Sequence, residues 1–277
     1  MTRLRVGFAG LGSQGGPMAR RVIEDGFTTT LWARRAQSLE PFADTGAAYA
    51  TDRRALGAAS DVLCLCVTGD GDVDEILRGE EGALAGMAPG GIVVIHSTVH
   101  PDTCIRLQAD YADVHFVDAP VSGGGHMAAA KALLVMVGGE REPIERCRPV
   151  FETYANSVIH LGGLGSGQAA KLLNNSLFTA HLGLAASTFS VAGSLGLDLD
   201  ALADVLSAGS ARSYAAEVIA NSGRSLSVMA ELAGPLLAKD VAIFAAVVGA
   251  NSRGLLQMAT ATIDAMHLND SAPPDAQ

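Results

Sequence analysis

The sequence predicts an α/β domain built on a doubly wound, mostly parallel sheet, followed by an all-α domain. Three observations carry this. Up to about residue 163, short apolar runs alternate with helical patterns, as expected of strands joined by crossover helices. After Gly162-Gly163-Leu164-Gly165 the strand signal stops. From residue 166 to 195 the pattern reads as one Ala- and Leu-rich helix, nearly apolar all round, which needs cover from its own domain or from a second subunit. The expected domains are therefore residues 1–163 and 164–277.

The strand-like runs lie at residues 4–9, 28–32, 62–67, 91–95, 115–118, 133–137 and 157–161. Several are apolar on both faces, which suits parallel strands covered by helices on both sides. In the second half, Asp198 follows Gly196-Leu197 and is placed to cap a helix over about 199–206. Further helices are expected near 214–220, 235–248 and 255–267, and the residues from Asn269 onward, with Pro273-Pro274, read as a loose tail.

Composition narrows the function classes. Lys and Arg number 19 against 29 Asp and Glu, a net charge of −10, and no basic block interrupts it. Such a surface repels phosphate backbones and anionic lipid, so neither nucleic acid nor membrane is an expected partner. Aromatics at 5% leave little for base-stacking platforms. No run of about 18 apolar residues is present, and the chain leads from Met1-Thr2-Arg3 straight into a strand, so no transmembrane span or signal peptide is expected. Cys64, Cys66, Cys104 and Cys147 form no CxxC pair, so no metal site is expected and a reducing cytoplasm fits.

Glycine, at 32 of 277 residues, is in excess of the usual ~7%, and some of it sits in a recognisable pattern. The first strand ends in Gly10-Leu11-Gly12-Ser13-Gln14-Gly15, and the residues from Gly16-Pro17-Met18-Ala19 continue as a helix. In G-x-G-x-x-G, the first glycine permits the tight turn, the second lets the backbone approach a pyrophosphate, and the third lets helix and strand pack closely. The helix N-terminus then offers N–H groups to the phosphates. An anionic dinucleotide can thus be held locally by an acidic protein. At the end of the second strand, an NAD site usually has Asp or Glu for the ribose 2′-hydroxyl. Here Trp32 is followed by Ala33-Arg34-Arg35, with no carboxylate before Glu40. Arg34 and Arg35 are suited to a 2′-phosphate, so NADPH is expected to be favoured over NADH. Val67, closing the 62–67 run, is expected to lie along the same cofactor.

Two other segments carry chemistry. In Gly165-Ser166-Gly167-Gln168-Ala169-Ala170-Lys171-Leu172-Leu173-Asn174-Asn175, residues Lys171, Asn174 and Asn175 fall on one helix face. A lysine and two amides on an otherwise apolar helix need something to bind, and a lysine can give or take a proton at a reacting oxygen. Asp118-Ala119-Pro120-Val121-Ser122-Gly123-Gly124-Gly125 follows a strand, and glycines with a serine can present N–H groups and a hydroxyl to a carboxylate. Ser97-Thr98 also ends a strand, and Lys239-Asp240 on its own reads as a solvated pair.

Taken together, these motifs resemble the β-hydroxyacid dehydrogenases over about residues 4–268. The turn Gly10 to Gly15 looks like that family's cofactor signature, Asp118 to Gly124 like its substrate loop, and Gly165-x-Gly167-x-x-x-Lys171-x-x-Asn174-Asn175 like its catalytic helix. The resemblance implies a Rossmann domain and a helical domain sharing a long interdomain helix, the latter serving substrate closure and oligomerisation. It implies Lys171 as acid/base, Ser122, Gly123, Gly124 and Asn175 as ligands of a substrate carboxylate, and Thr98 and Lys239 as cofactor contacts beside Gly10, Leu11, Gly12, Ser13, Gln14 and Gly15. It also implies a homodimer or homotetramer through the helical domain.

The chain departs from the family pattern at Gln14, where methionine is usual, and at His96, where a polar or acidic residue is common. Met127, Lys131 and Ala132 also replace glycines and a threonine of the substrate loop, so Met127 and Lys131 are expected to reshape the pocket or add an anion contact. The expected activity is hydride transfer between NADP(H) and a short 3-hydroxy acid or its semialdehyde, of the 3-hydroxyisobutyrate or tartronate semialdehyde type. The alternatives are an imine reductase, whose members usually lack the lysine at Lys171, and an NADP-binding module without catalysis, which has no need of Lys171.

Overall fold

The computed structural model describes residues 4–249 and 253–266. The chain divides into two compact units between Lys171 and Leu172. The expected tail from Asn269, and Met1 to Arg3, lie outside the described residues.

In the first unit, β1 (Arg5–Ala9) leads through the glycine turn into α1 (Gly15–Glu24) and β2 (Thr28–Trp32). A 3-10 segment and β3 (Ala48–Tyr49) precede α2 (Arg53–Ala58), β4 (Val62–Leu65) and α3 (Asp70–Leu77). Then come β5 (Ile92–Ile95), α4 (Pro101–Asp110), β6 (His115–Asp118), β7 (Val121–Ser122) and α5 (Gly124–Ala129). The unit's last strands are β8 (Leu133–Gly138) and, after α6 (Arg141–Phe151), β9 (Ala155–Gly162). The sheet order is β3-β2-β1-β4-β5-β6-β8-β7, with β9 on β8. The strands from β3 to β6 are parallel to their neighbours, while β8 runs antiparallel to β6 and β7. The two-residue strands β3 and β7 are too short for periodicity to disclose.

The apolar character of both strand faces has a direct cause. Along β4 and β5, Val62, Cys64, Ile92 and Val94 enter one core with Phe8, Met18 and Val22. Their neighbours Leu63, Leu65, Val93 and Ile95 enter a second core with Val73, Ile76 and Leu107 on the other side. Helices therefore cover the sheet twice, as the doubly wound pattern requires. Because β1, β4, β5 and β6 run the same way, their carboxyl ends bring the glycine turn, Val67, Ser97-Thr98 and the Asp118 loop to one edge.

The long helix α7 (Ser166–Ser194) starts in the first unit and continues beyond it. The sequence boundary near residue 163 marks the end of the strands, but the compact unit extends to Lys171. Its reason is polar: the first turn of α7 is bonded to Asp118 and to the end of β5, as described below.

The second unit continues α7 with α8 (Leu199–Ala208), α9 (Tyr214–Asn221), α10 (Ser227–Val248) and α11 (Arg253–Ala265). Leu182, Phe189, Ile219, Val241, Phe244 and Ile263 form its core. Asp198 caps α8 as expected, accepting from the N–H groups of Asp200 and Ala201 at 2.8 and 3.1 Å. One expectation needs correction. The α10 helix begins at Ser227, so Pro235 is inside it rather than at its start; residues of good helical propensity before the proline carry the helix past the missing N–H. The helical domain covers only part of the long helix, as an apolar helix awaiting a second subunit would show. Leu173, Leu177, Leu184, Val191 and Leu195, spaced by four or seven residues, are each at least 48% exposed. No helix among the described residues is long and apolar enough to cross a membrane.

Candidate active site

The glycine turn has the form that its sequence requires. Gly10 has φ +91°, a left-handed conformation that favours glycine. A Cβ on Gly10 would strike the Cys66 carbonyl, and one on Gly15 would strike the Gly10 carbonyl and the Cys66 side chain. Gly12 differs: a Cβ there would meet nothing within 4 Å. The close packing at Gly10 and Gly15 and the open backbone at Gly12 together fit a pyrophosphate approaching the turn. Gln14 occupies the N-cap of α1 without a side-chain capping bond, its amide reaching the Met18 sulfur at 3.6 Å. Leu11 and Ser13 complete the turn.

Arg34 and Arg35 are both exposed beyond β2. The Arg34 guanidinium meets Asp72 at 3.0 Å and Glu75 at 2.8 Å. A 2′-phosphate would therefore compete with two carboxylates for Arg34, a feature the sequence did not disclose because those residues lie on α3.

Asp118 joins the substrate-loop motif to the lysine helix. Its side chain is fully buried, and its two oxygens accept from the N–H groups of Gly165 and Gln168, each at 2.7 Å. Burial pushes the Asp118 carboxyl up, and the N–H groups of Gly165, Gln168 and Gly167 oppose that shift. The buried Gln168 donates to the Ser97 carbonyl at 2.9 Å and accepts from the Val99 N–H at 3.1 Å. Ser97 in turn accepts from the Val67 N–H at 2.8 Å. Ser97 is buried and Thr98 half-buried, so of this pair it is Thr98 that has surface to offer a ligand. Lys171 is half-buried, three residues beyond Gln168 and on the same side of the helix.

Ser122 ends β7, half-buried, and Gly123 and Gly124 follow with φ of +133° and +74°. They open the short helix α5 rather than a free loop. Gly125 lies against the Ser13 carbonyl, where a Cβ would collide, so the segment after Ser122 and the glycine turn are in contact.

Three of the five departures from the family pattern, Met127, Lys131 and His96, have well-defined surroundings. Met127 packs against the first core and also lies against Gly123, where a Cβ would meet its side chain, so its bulk borders the segment from Ser122 to Gly124. Lys131, with φ +56°, turns to Asp25 at 3.3 Å, away from Ser122 and at the far end of α1. It holds the left-handed conformation that a glycine would hold at this position, and its charge is spent on Asp25. His96 is buried, with Nδ1 2.7 Å from the Ala119 carbonyl and Nε2 3.1 Å from the Tyr154 hydroxyl. It stacks on Phe8 and meets Phe151 and Tyr154 edge-on. Burial lowers its pKa to about 4, so the ring is neutral. Nδ1–H donates to Ala119, and Nε2 accepts from Tyr154.

In the second unit, Asn175 is held on two sides. Its amide donates to Asp240 at 2.6 Å and its carbonyl accepts from Asn174 at 3.1 Å. Asp240 is only 4% exposed and pairs with Lys239 at 2.9 Å. Asp240 is thus not solvated, although Lys239-Asp240 on its own reads as a solvated pair, because Asp240 faces Asn175 across 65 residues of chain. Among the described residues, no group of His, Cys, Asp or Glu is arranged to hold a metal ion.

Residues 5–162 match the model for the NAD binding domain of 6-phosphogluconate dehydrogenase, and residues 165–271 match that for the NAD-binding domain of NADP-dependent 3-hydroxyisobutyrate dehydrogenase. The chain belongs to the β-hydroxyacid dehydrogenase family. It is an NAD(P)-dependent hydroxyacid dehydrogenase. An uncharacterized oxidoreductase of Mycobacterium tuberculosis H37Rv is 36% identical over 73% of this chain and 69% of its own. The NAD-dependent L-serine dehydrogenase of Pseudomonas aeruginosa is 31% identical over 77% of this chain and 72% of its own. Among solved structures, Psf3 in complex with NADP+ and 2-OPP superposes with a TM-score of 0.84 at 29% identity, covering 94% of this chain and 93% of that one. The Rossmann-like sheet followed by a helical domain is the architecture expected of this family.

Proposed function

We propose that this dehydrogenase transfers hydride between NADP(H) and the alcohol or aldehyde carbon of a short 3-hydroxy acid or its semialdehyde, with Lys171 as general acid/base. The observation that carries the reading is the bonding of Asp118 to the first turn of α7. It ties the segment bearing Ser122, Gly123 and Gly124 to the helix bearing Lys171, at the sheet edge where the glycine turn also lies.

The nicotinamide, when bound, supplies or accepts the hydride. Gly10, Leu11, Gly12, Ser13, Gln14 and Gly15 would hold its pyrophosphate, with Val67, Thr98 and Lys239 as further contacts. Arg34 and Arg35 would meet a 2′-phosphate, Arg34 exchanging its carboxylate partners for it. The Ser122 hydroxyl and the N–H groups of Gly123 and Gly124 would bind the substrate carboxylate, and Asn175, its amide oriented by Asp240, would act as a further ligand. Lys171 donates its proton to the carbonyl oxygen in reduction and receives it in oxidation. Much of the catalysis is then positioning.

Two further proposals accompany this one. Four free thiols, Cys64, Cys66, Cys104 and Cys147, suit the reducing cytoplasm. The exposed apolar stripe of α7 supports a homodimer or homotetramer through the helical domain. The reading is tested by following NADPH absorbance with a panel of small semialdehydes and cyclic imines. Turnover of a semialdehyde bearing a carboxylate, with a lower KM for NADPH than for NADH, is expected. Turnover of imines alone, or NADPH binding with no turnover, would replace it with one of the two alternatives.

A further inference from the structure

A lysine that gives a proton at a fixed point needs its ammonium held in place. We infer that Asp118 and Gln168 are positioning residues for the proton transfer, forming a clasp that fixes the first turn of α7 against the ends of β5 and β6. This inference rests on the proposed role of Lys171.

The clasp is built from buried groups. Taking a carboxylate out of water is costly unless its oxygens are bonded, and Asp118, fully buried, accepts one N–H on each oxygen from Gly165 and Gln168. Two glycines make room for it. A Cβ on Gly138 would strike Oδ1 of Asp118, and one on Gly167 would strike the Met136 carbonyl and lie 2.8 Å from Oδ2. Gln168 uses both ends of its amide, giving a hydrogen bond to Ser97 and taking one from Val99. The helix is thus bonded at two angular positions, which resists rotation about its axis as well as sliding along it.

Lys171 sits less than one turn further on, so a small rotation of this turn is passed to the ammonium through the length of the side chain. A displacement of about 1 Å at a reacting group costs on the order of 10²-fold in rate. The carboxylate also precedes Ser122 by four residues, with the Ala119 carbonyl between them held by His96. One buried group therefore references both the proton donor and the substrate loop.

A double-mutant cycle in the full-length protein, read with NADPH and the carboxylate-bearing semialdehyde from the panel, tests the clasp. Asp118→Asn keeps one acceptor but turns an NH2 towards one of the two N–H donors. It is expected to lower kcat by about 10- to 100-fold while the KM for NADPH stays within about threefold, and Gln168→Met to act in the same direction. In a Lys171→Ala background either change should lower kcat by less than about twofold, since residues acting as a unit are not additive. The same loss in both backgrounds would mean a merely structural role, and an unchanged kcat in Asp118→Asn would mean none; either overturns the inference. Should Asp118→Asn not fold, Gln168→Met with Lys171→Ala completes the cycle. Failure of the parent reading looks different: Lys171→Ala alone would retain turnover, and the clasp would then have no proton donor to position.

Discussion

At the scale of single residues, burial decides which polar groups serve chemistry and which serve the fold. His96 stands at a strand end, where ligand contacts are common, yet its ring lies among Phe8, Phe151 and Tyr154. Its folded pKa of about 4 lies below the ordinary 6.5. Between these values the unfolded chain binds a proton that the folded chain refuses. The contribution of the neutral ring to stability is therefore complete above about pH 6.5 and is lost as the pH falls towards 4. At about 1.4 kcal/mol per unit, the loss is about 3 kcal/mol. Urea unfolding at pH 7 and pH 4.5 should show a smaller decrease for His96→Phe than for the natural chain, whatever their absolute stabilities. Equal decreases would place the acid sensitivity elsewhere.

At the scale of elements, the glycine turn shows how one motif divides its work. Gly15 lies where a Cβ meets backbone, whereas Gly12 borders open space. Gly15→Ala should destabilise the chain by about 1–3 kcal/mol, as overpacking does. Gly12→Ala should unfold at nearly the natural temperature but bind NADPH at least about tenfold more weakly, since the added methyl would lie where the pyrophosphate approaches. Thermal unfolding paired with NADPH fluorescence titration separates the two. A Gly12→Ala variant of normal affinity would contradict the assignment of the turn.

This turn was legible in the sequence because its determinants are local: strand, glycines and helix follow within a few residues. The same is true of the Asp198 cap and of the alternating cores. The Asp118 bonds to Gly165 and Gln168 span 47 and 50 residues, and no local pattern announces them, although Asp118 belonged to a motif read only for its serine and glycines. Asp240 was hidden for the same reason. Lys131 is hidden differently, because the direction a loop charge takes depends on the backbone, here at φ +56° and turned to Asp25. The helix expected over 235–248 starts earlier, at Ser227, because the residues before Pro235 are already helical.

At the scale of the whole molecule, the charge of −10 and the apolar stripe of α7 bear on assembly. Leu173, Leu177, Leu184, Val191 and Leu195 repeat at four and seven residues, which keeps them on one helix face. If a second copy covers this stripe, light scattering should give a dimer or tetramer mass for the natural chain. Leu184→Glu with Val191→Glu should then shift that mass towards the monomer. A monomeric natural chain would remove the proposed assembly.

In the proposed mechanism Lys171 moves the proton that accompanies hydride transfer. Steady-state kinetics of Lys171→Ala, with NADPH affinity measured in parallel, tests it most directly. A kcat at least about 10²-fold lower, with NADPH affinity nearly unchanged, is expected. A variant that turns over at close to the natural rate would contradict it.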